Sequence, residues 1–566
     1  MRLLYYIVFI FTASFNLAAQ GLDMEEPSAS KAHADTIILA NAIYTADDQN
    51  PTAEVIAIKN GRFIYVGDKT ALDALTGPET ETLTLSDASV FPGFTDSHSH
   101  LTGIGQRELT LNLENTQSLA RLKEIISTWR ENHKEKTMIV GRGWIETHWP
   151  EKRFPSRWDI DDVIADIPVI LARSDGHALV VNSKALEVAN IDENTPVPYG
   201  GDITKNAMGE LTGMFVDNAQ ALIQRIIPRS TSSDIERYLT TGGTVYAGYG
   251  WTGTHNMSVS WDEVAIIEAL SENDNLKIRV YNSVDQEYAD KLFQSGPRLT
   301  ENGKAITRAI KLYLDGALGS RGAALIEPYS DADTKGLLLT KKSDIMSILI
   351  QALEDGIQIN THAIGDQANR LLLDWYEEAQ SAVPPSDRKI KEPRWRDEHT
   401  QIVNPQDIGR YQQLGVIPSM QPSHAIGDLH FAPARLGDAR LHGAYAWSSF
   451  VASGVIVAGG SDAPVERGDP LIEFYAATAR RDLKGFQGTN WHPEEALTRE
   501  EALKMFTLWP AIASFQENEI GSITVGKQAD LSVFNIDLMT VAESEIPKGK
   551  PVMTMVAGEV IFRAAE

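Results

Sequence analysis

The chain contains no cysteine among its 566 residues. This absence excludes disulfide bonds, thiol catalysis, thiolate metal ligands and a lipid-modified cysteine. A chain of this length can nevertheless bury a large apolar core, so packing alone can stabilise it. The length also exceeds what one compact core usually contains, which predicts a large domain accompanied by an accessory one.

Positive charge is scarce, because 51 lysine and arginine residues stand against 77 aspartate and glutamate residues. The formal charge of -26 predicts a surface that repels nucleic acid and anionic membranes, so we expect neither as a partner. Hydrophobic residues make up 43% of the chain and charged residues 23%, as is typical of a folded globular protein. We therefore expect a small-molecule substrate.

The N-terminus has the pattern of a secretory signal peptide. Arg2 precedes an apolar run from Leu3 to Phe11, and small residues follow near Ala18. The run is short for a membrane span, so we expect residues 1–19 to be removed and residues 20–34 to form a flexible leader. This predicts a periplasmic or secreted protein, with an uncleaved N-terminal anchor as the alternative.

Six potential metal ligands lie at the ends of strand-like segments. Two of them, His98 and His100, are one residue apart at the end of an apolar run, and the two-residue period of a strand directs both to one face. Imidazole and carboxylate groups suit zinc and other divalent first-row ions. The remaining four candidates are Lys311, His362, His399 and Asp462.

The alternation of strand and helix patterns predicts an α/β fold. The six candidate ligands lie at strand ends, where (β/α)8 TIM-like barrels gather their catalytic groups, so we predict such a barrel. We place the barrel between residues 90 and 514. Its eight strands are predicted near residues 90–98, 251–257, 277–284, 307–315, 356–362, 395–400, 415–421 and 454–461.

Two further units are predicted outside the barrel strands. The interval from about 101 to 245 is too long for one crossover, so it should contain an inserted subdomain after the first strand. Residues 35–89 and 515–566 contain short strands, including a hairpin at Asn60-Gly61. We expect these two chain ends to build one composite β-sandwich.

Five segments resemble the amidohydrolase superfamily, and more narrowly its third amidohydrolase subfamily. They occur in the family's order, and the resemblance spans roughly residues 35–566. A barrel with a composite β-sandwich is what this resemblance implies, as is a possible homodimer. The segments begin at Pro92-Gly93-Phe94-Thr95-Asp96, Lys311-Leu312-Tyr313-Leu314-Asp315, Thr361-His362-Ala363-Ile364-Gly365, Glu398-His399-Thr400-Gln401 and Gly460-Ser461-Asp462-Ala463-Pro464.

The resemblance also implies how the ligands are used. His98 and His100 would hold one metal together with Asp462, while His362 and His399 would hold a second. Lys311, N-carboxylated by carbon dioxide, would bridge the two ions with a hydroxide. Zinc is the expected ion, although manganese, iron and cobalt accept the same ligands. Asp462 would act as general base and then as general acid.

Several readings stay open at these positions. Lys311 could instead be an ordinary amine paired with Asp315 or another carboxylate, leaving a single metal. Asp462 could be only a helix cap. Weaker candidates for orienting substrate or stabilising an oxyanion are Trp144, His177, His255, Arg321, Gln421 and His424.

The sequence thus predicts an amidohydrolase that cuts a carbon–nitrogen bond other than a peptide bond, in an amide, a formamide or an N-acyl amine. Deamination, or hydrolysis of an ester or lactone on the same barrel, is the alternative within enzymes. A non-catalytic regulatory or ligand-binding protein is the alternative from another class, because the family includes a regulatory member.

Overall fold

The computed structural model describes residues 33–147 and 149–565. The predicted signal peptide, residues 1–19, lies outside the described residues, as does the leader up to residue 32. Ala34, placed at the end of that leader, is buried and donates its backbone N–H to Leu75. Within the described ranges, no helix combines the length and apolarity needed to cross a membrane.

An eight-stranded, nearly closed parallel barrel forms the body of the protein and confirms the predicted fold class. All eight strands lie where the sequence predicts them, numbered here barrel strands one to eight in chain order. Their side chains are almost entirely buried, as is typical of a parallel sheet covered by helices. The strands are Phe94–Ser99, Trp251–Val259, Arg279–Asp285, Ala305–Tyr313, Gln358–Ala363, Arg396–His399, Ile417–Met420 and Ala458–Gly459.

Asp96 connects the first and last barrel strands. Its carboxylate accepts hydrogen bonds from the backbone N–H of Ser461 at 2.9 Å and from that of His98 at 3.0 Å. The backbone N–H of Asp462 in turn donates to the carbonyl of His98 at 2.7 Å. This closure places two predicted metal ligands, His98 and Asp462, side by side.

Helices surround the barrel and pack on it through one continuous apolar core. Their glycine and asparagine ends and their Ser, Thr and Asp caps follow the usual preferences at helix termini. The helices outside the insert are Leu101–Leu109, Ser232–Tyr249, Trp261–Glu272, Ala289–Ser295, Lys342–Asp355, Asp366–Ala382, Ile408–Leu414, Pro422–Asp428, Ala432–Leu436, Trp447–Ala452, Pro470–Ala479, Arg499–Met505 and Leu508–Ala513; Leu72–Leu75 is a single turn near the N-terminal end.

The two chain ends meet in one seven-stranded sheet, called here the terminal sheet. Asn60 and Gly61 both have positive φ and close the predicted hairpin. Residues 90–92 continue a strand of this sheet, so barrel strand one begins only after Gly93. In spatial order the strands are Glu559–Arg563, Pro551–Val556, Leu531–Phe534, Glu81–Pro92, Thr36–Tyr44, Thr52–Lys59 and Arg62–Gly67, with hydrogen bonding continuous through all seven.

The segment between barrel strands one and two contains a second sheet with its own apolar core. Helices Leu101–Leu109 and Ser232–Tyr249 pack on each other and on the barrel core, so the insert proper covers residues 110–231 rather than about 101–245. Its six strands are Leu111–Asn112, Ile139–Trp144, Val169–Arg173, Ala178–Val181, Gly201–Lys205 and Leu211–Asp217; its helices are Leu119–Asn132, Arg157–Asp161, Ser183–Ala189 and Ala221–Gln224.

Candidate metal centre

The six predicted ligands meet at the carboxyl end of the barrel. The ring centroids of His98 and His399 are 4.6 Å apart, and those of His399 and His362 are 4.5 Å apart. The Nζ atom of Lys311 lies 3.4 Å from Nε2 of His98. Side chains from barrel strands one, four, five and six thus form one cluster.

Asp462 approaches this cluster from the loop after barrel strand eight. Its Oδ1 atom lies 3.2 Å from Nε2 of His100 and 3.5 Å from Nε2 of His98. Ligand atoms of these three residues all lie within 4.8 Å of one another, a spacing that suits one divalent cation. Asp462 has a φ of 59°, a left-handed conformation that costs energy for a non-glycine residue and that clusters at functional sites.

Two ligand atoms of the cluster are buried without a hydrogen-bond partner, Nε2 of His362 and Oδ1 of Asp462. Such atoms are rare in folded proteins because an unsatisfied buried polar group is costly. Burial also lowers the pKa values of His98, His362 and His399, so these imidazoles are neutral and retain a lone pair. The donor set therefore fits a metal ion.

Three of the histidines are held in one tautomer by acceptors behind them. Each acceptor accepts a hydrogen bond from Nδ1–H, which keeps the proton on Nδ1 and leaves the Nε2 lone pair directed at the centre. The contacts are His98 to Glu398 Oε2 at 2.5 Å, His100 to the Met257 carbonyl at 3.2 Å, and His399 to Gln421 Oε1 at 2.8 Å.

Glu398 is itself held by a buried arginine. Arg396 Nε lies 2.7 Å from Glu398 Oε1, and both side chains are inaccessible to solvent. Arg396 also donates to Nδ1 of His255 at 2.6 Å. His255, predicted to contact substrate, thus lies inside the barrel behind the ligands. The sequence offered one signal for the Arg396–Glu398 pair: two opposite charges two residues apart on a strand face the same side of the sheet.

The backbone of barrel strand six is distorted at its end. His399 has a φ of 79° and Thr400 a φ of 46°, and a left-handed conformation is a true outlier for a β-branched residue such as threonine. In a regular strand, Glu398 and His399 would face opposite sides of the sheet. The two left-handed residues break this alternation, so that His399 joins the centre in front of Glu398.

Lys311 is buried at the base of the cluster, and burial lowers its pKa to about 8. The carboxylate of Asp315, one alternative partner, accepts instead from the backbone N–H groups of Ala324, Ile364 and Gly365 at 2.8–2.9 Å. Glu398 and Asp462 lie near enough to favour the charged amine, but among residues 33–147 and 149–565 no carboxylate forms an ion pair with Lys311. With this pKa, about a tenth of the amine is neutral at pH 7, far more than for an exposed lysine.

A small cavity of about 80 Å³ lies over the cluster, lined by His362, His399, Asp462 and residues of the insert. A cleft of about 1070 Å³ adjoins it and shares Glu466 and Ile145 as walls. The two spaces suit a compact reacting group with a larger substituent outside.

Two of the six predicted substrate residues line this cavity, His177 and His424. His177 Nδ1 lies 2.7 Å from Asp217 Oδ1. Burial alone would lower the pKa of His177, but the hydrogen bond and charge of Asp217 outweigh it and raise the pKa to about 9. Asp217 has no sequence signal, because it is 40 residues away and belongs to a different strand of the insert.

The other predicted substrate residues lie away from the cavity. Trp144 is part of the apolar core of the insert, where its Nε1 donates to the Leu171 carbonyl at 2.8 Å. Arg321 pairs with Asp331 at 2.9 Å. Gln421 is fully buried behind His399 and is held by a hydrogen bond from its Nε2 to the Ser419 carbonyl at 3.0 Å.

The structure also brings together a ligand triplet that the sequence does not predict. Ligand atoms of His399, His424 and Asp462 lie within 4.8 Å of one another. By distance alone His424 could hold a metal, so its role depends on the state of its ring nitrogens.

Comparison with known proteins agrees with this geometry. The amidohydrolase family model matches residues 81–562. YtcJ of Bacillus subtilis (strain 168), which is named as an amidohydrolase, is 31% identical over 534 residues, covering 92% of this chain and 98% of that protein. N-substituted formamide deformylase of Arthrobacter pascens is 26% identical over 540 residues, covering 93% and 97%. The crystal structure of an uncharacterized metal-dependent hydrolase from Pyrococcus horikoshii OT3 superposes with a TM-score of 0.71 at 25% identity, covering 90% of this chain and 99% of that chain. This chain therefore belongs to the amidohydrolase family.

Proposed function

We propose that the protein hydrolyses a non-peptide carbon–nitrogen bond of a small molecule, in an amide, a formamide or an N-acyl amine. The observation that carries this proposal is the position of Asp462, whose Oδ1 faces His98 and His100 and has no hydrogen-bond partner. The resemblance to a relative named as a deformylase of N-substituted formamides supports the choice of bond.

Two divalent ions, with zinc as the expected metal, would occupy the centre. His98, His100 and Asp462 would hold one ion, and His362 and His399 the other. Metals bound in this way polarise a carbonyl oxygen and lower the pKa of a coordinated water. The neutral Nζ of Lys311 would add to carbon dioxide and release a proton, which gives a carboxylate able to bridge both ions.

Asp462 would act as the general base and then as the general acid of this reaction. Its carboxylate accepts a proton from the attacking water, whose oxygen forms a bond to the carbonyl carbon. It then delivers that proton to the nitrogen as the carbon–nitrogen bond breaks. The products are a carboxylic acid and an amine.

We also propose that the protein is exported to the periplasm or outside the cell, acts on a small molecule and forms a homodimer. The support for export is the N-terminal apolar run, and the support for a dimer is the family resemblance. Neither nucleic acid nor membrane is a proposed partner, because of the acidic surface.

The test is a hydrolysis screen on the purified protein with its metal content measured by elemental analysis. The panel contains N-formyl and N-acetyl amines of increasing amine size, together with esters, lactones and amino-heterocycles. We expect turnover of an N-acyl compound, loss on chelation, and a decrease of about 10²–10⁴-fold in kcat in Asp462→Asn.

Asp387 is exposed, so Asp387→Asn is the matched control and should retain full turnover. Release of ammonia from heterocycles, or turnover of esters alone, would instead favour the alternative hydrolases. A metal-loaded protein that turns over no compound of the panel would contradict the proposal.

A further inference from the structure

His424 faces the centre, but the hydrogen-bond partner of its Nδ1 differs from those of the neighbouring histidines. It lies in the helix Pro422–Asp428 after barrel strand seven, and only about a tenth of its side chain is exposed. Behind the ring, Nδ1 lies 3.0 Å from Nε2 of Gln401. The partner of Nδ1 is thus an amide nitrogen, whereas His98, His100 and His399 all face oxygen acceptors.

An amide nitrogen can only donate, so Nδ1 of His424 must accept. A neutral imidazole carries one proton, which is therefore on Nε2. Gln401 is itself buried, and its backbone carbonyl accepts the N–H of Tyr445 at 2.7 Å, which anchors this segment. His424 consequently presents an N–H donor to the cavity, where His399 presents a lone pair.

This donor has no partner among the described residues. Its nearest acceptors are Asp462 Oδ2 at 3.7 Å and Glu466 Oε1 at 3.9 Å, both beyond hydrogen-bonding distance. A buried donor left without an acceptor is costly, so a ligand atom is the natural partner. The tautomer also means that His424 cannot ligate a metal through Nε2, despite its distance to His399 and Asp462.

We propose that His424 donates a hydrogen bond from Nε2 to the substrate oxygen that gains negative charge when the carbonyl is attacked, with Gln401 as the positioning residue that sets its tautomer. This inference rests on the proposed function, because it assigns an oxyanion donor to that hydrolysis. A donor fixed before the reaction needs no reorganisation when the charge develops, and it acts here in a buried, weakly screening site.

Variants at both positions separate this role from metal binding. His424→Ala should lower kcat by about 10²–10³-fold while the metal content per chain stays that of the wild type. His424→Gln, whose amide nitrogen can replace the donor, should recover part of kcat. His133→Ala, at a half-buried residue that follows the insert helix Leu119–Asn132 and does not line the cavity, is the control and should match the wild type.

Gln401→Met tests the positioning role with little change of side-chain volume. A thioether cannot donate a hydrogen bond to Nδ1, so the proton of the neutral ring is no longer held on Nε2 and both tautomers are populated. We expect kcat to fall, although less than in His424→Ala, with KM changed less than kcat. In the His424→Ala background the same substitution should have no further effect on kcat.

Loss of one metal ion per chain in His424→Ala would overturn the proposal, as would a kcat within about twofold of the wild type. If His424→Ala does not fold, His424→Gln and Gln401→Met decide by the same measurements. If the wild type hydrolyses no panel compound, the proposed function fails by itself. Binding of methylphosphonate, a tetrahedral anion, then tests the donor by calorimetry: weaker binding to His424→Gln or His424→Ala at equal metal content supports it, and equal affinity overturns it.

Discussion

The Nδ1 atom of His98 lies 2.5 Å from Oε2 of Glu398, and both side chains are almost completely inaccessible to solvent. Arg396 holds the other oxygen of the same carboxylate at 2.7 Å. The orientation of a proposed metal ligand on barrel strand one is therefore set by an ion pair on barrel strand six. Such partners fix the tautomer and the basicity of a ligating imidazole.

Removing the charge at Glu398 should weaken metal binding without removing a ligand. We expect Glu398→Gln to reduce metal affinity by about 10–100-fold, measured by competition with a chelator. The substitution leaves Arg396 buried without its counter-charge, so the melting temperature should fall as well. Glu519→Gln, which breaks an exposed pair with Arg62, is the control. Unchanged metal affinity in Glu398→Gln would contradict the role assigned to this contact.

Lys311 should make metal loading depend on carbon dioxide. Because burial lowers its pKa to about 8, a fraction of the amine is neutral and able to react near pH 7. We expect the wild type to bind two ions in bicarbonate buffer and fewer in buffer freed of carbon dioxide. Lys311→Met should bind the lower number in both buffers, as measured by elemental analysis. Two ions bound by Lys311→Met would exclude a bridging role.

Gly105 allows two helices to touch. A Cβ at this position would lie 1.8 Å from the backbone carbonyl of Tyr238, which belongs to the facing helix. Gly105→Ala should therefore lower the free energy of unfolding by about 1–3 kcal/mol. Gly409 is an exposed residue of the helix Ile408–Leu414, and a Cβ there would meet no atom within 4 Å. Gly409→Ala should therefore raise the free energy of unfolding by about 0.4–1 kcal/mol. Urea denaturation measures both, and equal effects would contradict the packing argument.

Asp159 should make the free energy of unfolding depend on pH in the acid range. Partial burial opposes its ionisation, but hydrogen bonds from Arg153 and Ser156 outweigh this and lower its pKa to about 2, from an ordinary value of 3.8. The folded state therefore binds fewer protons than the unfolded state between these values, and stability is lost as pH falls through them. Above about pH 4, Asp159→Asn should be less stable than the wild type.

The difference should shrink as the pH falls from about 4 to 2, because the wild type loses the same interaction on protonation. Asp162→Asn, which breaks an exposed contact with Lys123, is the matched control and should show no such trend. The measurement is the urea midpoint at each pH, and a constant difference would contradict the prediction.

The barrel and the proposed ligand set were predictable because both depend on local patterns. Most barrel strands lie in or directly after runs rich in apolar and β-branched residues, although strand six, Arg396–His399, is charged. His98, Lys311, His362 and Asp462 stand near or just beyond the ends of such runs. The carboxyl ends of parallel strands meet at one face, so the pattern alone indicates convergence. The boundaries of the insert were less predictable, since the helices at its two ends have the same pattern as barrel helices.

The roles of Gln421 and His255 were not predictable, because a polar residue near a strand end can face the cavity or lie behind a ligand. Gln421 directs its oxygen to His399, and Gln401 directs its nitrogen to His424. The two side chains are chemically identical, but Gln421 favours a proton on Nδ1 of His399, whereas Gln401 favours a proton on Nε2 of His424. Only the orientation that neighbouring groups impose, such as the Ser419 carbonyl on Gln421, distinguishes them.

The sequence by itself determined the fold class, the family and the convergence of the six proposed ligands, since motifs and strand ends encode these. The tertiary structure alone decided which nitrogen of each histidine is protonated and which carboxylates are already used by backbone donors. Those properties depend on contacts between residues far apart in the chain, as in the pair of His98 and Glu398, 300 residues apart. Hydrogen bonds act over about 3 Å, so only the folded arrangement can select among the possible partners.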